Sequence, residues 1–214
     1  MEVASTTLGV TSSILSGFAT FILALVFAIY MLADKENLTN QAKRLTYLIV
    51  PKKKVEGVLR VGKIANETFN KFIAGQVMEA FIIGILCFIG MLLLGLPYAS
   101  TISVLVGFTA LIPVFGALIG TFIGAVLIFV VDPIGALIFI AYIIVLQQIE
   151  GNFIYPKVVG SSVGLPGIWV MLAVILGGSL FGLVGMLIGV PLFSVFYILL
   201  KDYSDKRLKN VKID

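Results

Sequence analysis

"FIIGILCFIGMLLLGLPYASTISVLVGFTALIPVFGALIGTFIGAVLIFVV", residues 81–131, contains no charged side chain. The hydrocarbon core of a bilayer is about 30 Å thick, so a helix crosses it with about 20 apolar residues. This segment is too long for one crossing, and Pro97 and Pro113 interrupt it. A proline inside a membrane helix frees a carbonyl that must be satisfied within the protein, so we expect a buried break at Pro113. The predicted helical pieces are Val77–Leu96, Thr101–Ile112 and Val114–Val131.

The rest of the chain is equally apolar. Hydrophobic residues make up 60% of it, charged residues only 12%, and the mean hydropathy is +1.14, whereas a soluble domain carries about 25% charged residues. No segment shows the ten-residue alternation of a membrane β-barrel strand, and a helix is the other way to satisfy the backbone in lipid. We therefore predict an all-α, polytopic transmembrane protein with broken or re-entrant helix hairpins.

Four regions follow from the pattern of charge and hydropathy. An N-terminal segment ends in a transmembrane helix, helix A, over Ile14–Ala33, and a polar, amphipathic helical segment follows it. The transmembrane core contains the three pieces above, a helix over Ile134–Ile149, and an uncharged stretch over Val158–Leu200 that glycines and Pro191 divide into a broken pair. A basic tail ends the chain. The predicted regions are 1–33, 34–75, 76–200 and 201–214.

The basic residues predict the orientation of the chain. Of 15 Lys and Arg residues, nine lie between Asp34 and Lys71 and five between Lys201 and Lys212. Because loops rich in Lys and Arg stay in the cytoplasm, both clusters are expected there, with the N-terminus outside and the C-terminus inside. The net charge of +4 then belongs to cytoplasmic loops, and we expect no nucleic-acid partner.

Two topologies satisfy these clusters. In one, the pieces around Pro113 make a full crossing, which leaves Lys157 outside. In the other, they form a re-entrant hairpin, which places Lys157 inside and Asp132 outside. The second topology keeps every basic residue in the cytoplasm, and we favour it.

Two stretches of the core resemble each other. "FGALIGTFIGAVLIF" from Phe115 is similar to "FGLVGMLIGVPLF" from Phe181, and each contains a Gly-x-x-x-Gly pair. Inverted repeats of this kind are common in secondary transporters. Small residues four apart also recur in any closely packed membrane helix, so both interpretations stay open.

The polar residues that interrupt apolar sequence are the candidate functional residues, because an ionised side chain inside the membrane is costly. Gln147 and Glu150 are three apart, so a helix places them on one face. Asn152 follows, with Gly151 and Pro156 as predicted helix breakers. We predict a polar cage here for a small polar solute or a cation, with Glu150 able to exchange a proton; an ordinary interfacial turn is the alternative.

Two further sites show weaker versions of the same pattern. Gln76 and Glu79 are also three apart and follow Gly75, where an interfacial position is again the alternative. Ser161 can offer oxygen ligands to a hard cation such as Na⁺.

The residues that are missing exclude several classes of protein. The chain has no histidine and one cysteine, Cys87, so we expect no metal cluster, no Ser-His nucleophile and no disulfide framework. A Walker A phosphate loop is also missing, which points to an ion gradient as the driving force. We predict no enzyme activity and no cofactor, apart from coupling to Na⁺ or H⁺.

Four motifs, in the same order, resemble the autoinducer-2 exporter (AI-2E) family of bacterial membrane transporters. They are "FIAGQVMEAFIIGILCFIGMLLLGLPYA" from Phe72, "LIPVFGALIG" from Leu111, "QQIEGNFIYPKVVGSSVGLPG" from Gln147 and "LGGSLFGLVGMLIGVPLFSV" from Leu176. The resemblance covers nearly the whole chain. Members are usually longer, with two further membrane helices and a soluble segment ahead of helix A. The positions that match the family's pattern are Gln76, Glu79, Pro113, Gly116, Gln147, Glu150, Asn152, Pro156 and Gly182.

The resemblance implies a multi-pass transporter of the bacterial inner membrane that forms a homo-oligomer, with pentamers in relatives. It implies export of autoinducer-2 or Na⁺/H⁺ antiport. From the sequence itself we predict structural breaks at Pro113, Gly116, Pro156 and Gly182. We therefore predict a secondary transporter for a small polar solute, or for coupled cations, within the lipid bilayer. An oligomeric channel or a non-transporting membrane scaffold is the alternative.

Overall fold

The computed structural model describes residues 2–160 and 164–208, and every regular element within these ranges is a helix. The prediction of an all-α membrane protein is confirmed. Pi-helical turns over Glu150–Ile154 and Pro156–Gly160 extend the sixth helix. The helices are α1 (Glu2–Ala33), α2 (Lys35–Ile49), α3 (Lys52–Leu93), α4 (Ala99–Ala110), α5 (Phe115–Phe129), α6 (Pro133–Ile149) and α7 (Gly167–Leu208).

The chain forms two compact units that divide between Arg60 and Val61. The first contains α1, α2 and the beginning of α3. A single residue, Asp34, separates α1 from α2: its N–H donates to the Tyr30 carbonyl at 3.1 Å, and its own carbonyl accepts from the Leu38 N–H at 3.0 Å. Helix α1 ends at Ala33, where the sequence predicts the end of helix A, and its Ile22–Ala33 part is one of the shorter apolar helices.

The second unit contains the remainder of α3 and all later helices, and α3 corrects the predicted start of a helix at Val77. The helix runs without a break from Lys52 to Leu93, so the amphipathic segment and the predicted helix Val77–Leu96 belong to one element. Gly75 lies inside this helix, and a β-carbon there would be 2.8 Å from the Val158 carbonyl oxygen. It permits close packing between two helices and does not begin one.

The described residues contain three helices that are long and apolar enough to cross a membrane. Lys52–Leu93 and Pro133–Val159 are two of them, and Gly167–Asp205 is the third. The last is bent back on itself, so its length does not represent a single crossing. Helices α4 and α5 are shorter apolar helices.

Helices α4 and α5 pack against each other as a tight hairpin, and the predicted break at Pro113 is confirmed. Gly116, Gly120 and Gly124 form the face of α5 toward α4, where added β-carbons would collide with Thr109, Val106 and Ile102 in turn. These contacts run in opposite directions along the two helices. The two helices are therefore antiparallel. Gly116 lies in the first turn of α5, beside the break, and its lack of a side chain allows the hairpin to close.

Helix α7 contains a second hairpin, and the predicted break at Gly182 is also confirmed. Gly182 has φ +60° and ψ −141°, a conformation that L side chains rarely adopt, and Phe181 before it is also non-helical. Beyond this turn, Gly185 packs on the Gly177 carbonyl and Gly189 on the Ala173 carbonyl. Both of the similar sequence stretches thus form the second arm of a glycine-packed hairpin.

Helix α6 begins as its sequence predicts. The Asp132 side chain accepts hydrogen bonds from the N–H groups of Ile134 (3.1 Å) and Gly135 (2.9 Å), and Pro133 occupies the first turn. Such a cap satisfies donors that the helix itself cannot pair, and proline is well suited to the first position.

The α-helix ends at Ile149, as predicted, but helical turns continue through Pro156, where the sequence predicts a break. The chain stays helical to Gly160 because its hydrogen bonding widens to the π pattern, in which residue i bonds to residue i+5. The Tyr155 N–H, for example, donates to the Glu150 carbonyl. A π-turn relocates the bonds that a proline would remove, so Pro156 fits inside the helix.

The core of the second unit lies where α3, α4, α5 and α6 meet. Its centre is made by fully buried side chains such as Cys87, Ile102, Ile128 and Phe139. A smaller cluster joins α3 to the π-helical turns and α7 through Phe72, Val159 and their neighbours. The two clusters hold the carboxyl end of α6 against the middle of α3.

Candidate functional site

A polar cavity of about 240 Å³ lies between α3, the α4–α5 turn and the carboxyl end of α6. Its described lining contains two carboxyl groups, one amide and one phenol, and no lysine or arginine. The lining residues are Glu79, Ile83, Ala110, Ile112, Pro113, Val114, Ala117, Gln147, Glu150 and Tyr155.

Helix α3 contributes Glu79 and, next to the cavity, Gln76. Both side chains are 4% exposed. The Gln76 amide nitrogen donates to Glu79 Oε2 at 2.8 Å and to the Ala110 carbonyl oxygen at 2.9 Å. Residues three apart on a helix lie on the same face, so α3 presents this pair together to the end of α4.

Helix α6 and its π-turns contribute Gln147, Glu150 and Tyr155. The first two are three apart and share a face of the helix. Tyr155 joins them because the π-turn stacks residues five apart, as the bond from its N–H to the Glu150 carbonyl shows. The three side chains therefore line one side of the cavity.

Glu79 and Glu150 come from different helices, and both carboxyl groups line this one cavity, close enough to interact electrostatically. Two ionised carboxylates have only acceptors to offer, so a hydrogen bond between them requires a proton. The described lining has no lysine or arginine to neutralise a second negative charge. The arrangement can hold, and exchange, a proton.

The α4–α5 turn closes the third side of the cavity. Pro113 is buried there, and Val114 has φ +70° and ψ −49°, outside the regions that valine ordinarily adopts. A bulky residue held in this conformation stores strain, which is a common property of ligand clamps and switch regions.

Comparison with known proteins places the chain in a family. The model of the AI-2E family transporter matches residues 1–205. The chain belongs to the AI-2E family. The resemblance that its four motifs suggest is thereby confirmed.

Curated relatives carry names of the same kind. "Putative transport protein YueF" of Bacillus subtilis (strain 168) is 30% identical over 166 residues, 78% of this chain and 44% of that protein. "Putative transport protein YrrI" of the same organism is 30% identical over 184 residues, 85% and 50% of the two chains. "Putative permease PerM" of Escherichia coli (strain K12) is 27% identical over 191 residues, 87% and 52%. The chain thus spans about half the length of these relatives, and no solved structure matches it.

In this AI-2E family protein, the structure brings together four of the six predicted binding residues. Glu79, Gln147 and Glu150 line the cavity, and Gln76 contacts Glu79. Ser161 lies outside the described residues. The meeting of Gln76 and Glu79 with Gln147 and Glu150 joins two sequence segments that are far apart in the chain.

Asn152 is the exception, because it does not belong to the described lining of the cavity. Its side chain is exposed, and its amide nitrogen donates to the Gln148 carbonyl at 2.8 Å. The position two residues after Glu150 falls on another side of the helix, so Asn152 caps the turn before it and does not reach the cavity.

Sequence reasoning missed Tyr155 and the backbone of the α4–α5 turn. Tyr155 is five residues after Glu150, a spacing that shares a face only in a π-helix, and the sequence alone does not reveal where a helix widens. Pro113 predicts a break next to Val114. It does not predict that this break lines the cavity.

Two grooves larger than the polar cavity lie between helices of this AI-2E family protein. A groove of about 490 Å³ between α3 and α4 is almost entirely apolar, and its Ser103 hydroxyl is bonded to the Ser100 carbonyl. A groove of about 620 Å³ between α5 and α6 shares Val114, Ala117 and Gln147 with the polar cavity. The second groove therefore adjoins the cavity that holds the carboxyl pair.

Proposed function

We propose that this protein provides the substrate site of a proton-coupled secondary transporter in the bacterial inner membrane. A small polar solute of the autoinducer-2 type enters the polar cavity and is exchanged against protons held by Glu79 and Glu150. The names of the relatives support transport as the activity. Homo-oligomeric assembly belongs to the same proposal.

One observation carries the proposal: two carboxyl groups from separate helices meet in a cavity whose described lining has no basic residue. An ionisable group inside a membrane protein is costly to retain and typically marks a proton relay or an ion path. A carboxyl group that forms an ion pair with a lysine or arginine stays ionised. A pair that shares one proton can instead take up or release protons as a solute arrives.

The chemistry of the cavity suggests the class of solute. Carboxyl oxygens and the Gln147 amide favour a molecule rich in hydroxyl donors, since carboxylates accept hydrogen bonds strongly. The groove between α5 and α6 offers such a molecule a route, with the Thr121 hydroxyl and Gln147 along it. The volume of this groove, about 620 Å³, is within the range of small-molecule sites, about 300–1,000 Å³.

The test is transport by the purified protein in proteoliposomes. A panel of polyhydroxylated solutes is offered with a proton gradient, with a Na⁺ gradient and without any gradient. We expect saturable uptake that follows the proton gradient. Uptake that follows only the Na⁺ gradient would reject protons as the coupling ion, and unsaturable conductance in a planar bilayer would show a channel.

The residue-level test is Glu150→Gln, which keeps the shape of the side chain and removes its proton exchange. We expect coupled transport to fall by at least about 100-fold, the lower end of what a positioned acid or base contributes, while the protein assembles normally. The matched control is Glu67→Gln, because Glu67 is exposed and pairs with Lys63 at 3.9 Å. Equal transport by the two variants would reject the assignment of Glu150.

A further inference from the structure

Gln76 connects the carboxyl pair to the end of α4. Its amide nitrogen has two hydrogens, and both are used: one donates to Glu79 Oε2 at 2.8 Å and the other to the Ala110 carbonyl oxygen at 2.9 Å. One buried side chain therefore contacts a proton-binding group and the backbone of the hairpin at the same time.

The Ala110 carbonyl depends on this bond. In an uninterrupted helix it would accept from the N–H of Val114, four residues later, but Val114 has φ +70° and has left the helical path. The nearby donors bond elsewhere: the Ile112 N–H donates to Thr109 at 2.9 Å and the Gly116 N–H to Ile112 at 2.8 Å. Gln76 supplies, from another helix, the donor that the α4–α5 turn lacks.

The other end of the same amide has no partner. Gln76 Oε1 is buried without a hydrogen bond to any residue that the structure describes. Buried acceptors are nearly always paired, so an unpaired one needs a physical reason. Turning the amide by 180° exchanges its oxygen and nitrogen, which would present Oε1 to Glu79 and take the donor away from Ala110.

An unpaired Gln76 Oε1 has a use when the number of protons on the two carboxyl groups changes. With one proton between the two carboxyl groups, Glu79 Oε2 stays unprotonated and accepts from Gln76, as the structure shows. A second proton, on Glu79 Oε2, creates an O–H donor that faces another donor. The turned amide removes this conflict because its oxygen accepts that O–H. Among the residues that the structure describes, the titratable groups that face Glu79 are Glu150 and Tyr155.

From this geometry we propose that Gln76 is a positioning residue that couples protonation of Glu79 to the opening of the α4–α5 turn. The second proton passes from hydronium to Glu79 Oε2, where an O–H bond forms and water is left. The Gln76 amide turns to accept that O–H and gives up its bond to Ala110. Residues 111–114, which are strained at Val114, then separate from α3 more readily.

This inference rests on the proposed proton-binding role of the carboxyl pair but needs no solute. The experiment is hydrogen–deuterium exchange of the peptide that covers residues 111–116, followed between pH 5 and pH 8 in the purified protein. At each pH, the ratio between a variant and the parent cancels the intrinsic pH dependence of exchange. Failure of transport and failure of this coupling are therefore separate results.

Two variants act in opposite directions. Gln76→Met removes both bonds, so we expect the turn to exchange about tenfold faster than in the parent at pH 8, the factor that corresponds to one net hydrogen bond. The ratio should fall toward one at pH 5, where the parent has opened too. Gln41→Met, at an exposed glutamine of α2, is the matched control and should give a ratio of one throughout.

Glu79→Gln keeps an acceptor toward Gln76 and a donor toward Glu150, the pattern of the singly protonated pair. We expect its turn to exchange slowly at every pH, so its ratio to the parent should fall below one as the pH drops. A Gln76→Met ratio that stays constant with pH would show a purely structural bond. A Glu79→Gln variant that opens at low pH like the parent would equally overturn the proposal, even if Gln76→Met does not fold.

Discussion

Tyr142 fixes α6 to α3 through both its hydroxyl and its ring. The hydroxyl donates to the Leu86 carbonyl oxygen at 2.6 Å. The ring covers Gly90, where any β-carbon would collide with it. One residue thus sets the distance between the two helices that carry the carboxyl groups.

Removing only this hydroxyl measures the contact. We expect Tyr142→Phe to lower the free energy of unfolding by about 1 kcal/mol, the typical net value of one hydrogen bond, while the ring still packs on Gly90. Thermal unfolding in detergent checks this, with Tyr47→Phe on an exposed tyrosine of α2 as the control. Equal unfolding temperatures for the two variants would contradict a role for the bond.

The residue scale also shows what sequence can predict about a site. Glu150 and Glu79 were recognisable because a carboxyl group inside apolar sequence is costly and needs a reason. Their contact with each other was not recognisable, because it depends on how α3 and α6 pack. Asn152 neighbours Glu150 in sequence but lies outside the described lining of the cavity, whereas Tyr155, five residues after Glu150, belongs to it.

At the scale of the element, glycine decides how closely helices approach. Gly116 packs against the backbone of Thr109 across the α4–α5 hairpin, and an added β-carbon would lie 2.6 Å from the Thr109 carbonyl carbon. Gly62, in α3, has nothing within 4 Å of the same position. The same substitution should therefore have opposite effects at the two sites.

We expect Gly116→Ala to destabilise the protein by about 1–3 kcal/mol, because a backbone atom cannot give way as a flexible side chain does. We expect Gly62→Ala to stabilise it by roughly 0.5–1 kcal/mol, because alanine is the better helix former. Unfolding free energies in detergent decide the matter, and a loss of stability in both variants would mean that α3 is constrained at Gly62 as well.

Helix boundaries were predictable where local chemistry sets them. Asp132 and Pro133 form a cap that the sequence displays directly, and Pro113 breaks the chain within two residues of the observed turn. Gly75 and Pro156 have the residue types that end helices, yet both lie inside helical segments. Close packing on the Val158 carbonyl explains the glycine, and a π-turn accommodates the proline. Local propensity is a weak guide where neighbouring helices override it.

At the scale of the whole molecule, the length of the α4–α5 hairpin helps to distinguish the two predicted membrane topologies. The arms α4 and α5 have 12 and 15 residues, which rise about 18 and 22 Å, less than the roughly 30 Å of the hydrocarbon core. Because the arms run antiparallel, the chain leaves the hairpin on the side where it entered. This geometry supports the topology with Asp132 outside and Lys157 inside.

Helix α6 with its π-turns makes the two topologies distinguishable. Pro133–Val159 is long and apolar enough to cross the membrane, so the residues at its two ends should lie on opposite faces. A cysteine placed at Val131 and another at Lys157, each in a Cys87→Ala background, report on those ends separately. Cys87 is the only cysteine of the chain and is fully buried, so its removal leaves no competing thiol.

We expect an impermeant maleimide added to intact cells to label Val131→Cys, and to label Lys157→Cys only after permeabilisation, because basic residues are retained in the cytoplasm. Lys43→Cys, in the basic segment that both topologies place inside, should stay unlabelled until the membrane is opened and so reports on cell integrity. The reverse pattern, with Lys157→Cys labelled in intact cells and Val131→Cys protected, would make α4 and α5 one full crossing. The polar cavity would then open toward the outside, so the same labelling result also determines from which side protons and solute reach Glu79 and Glu150.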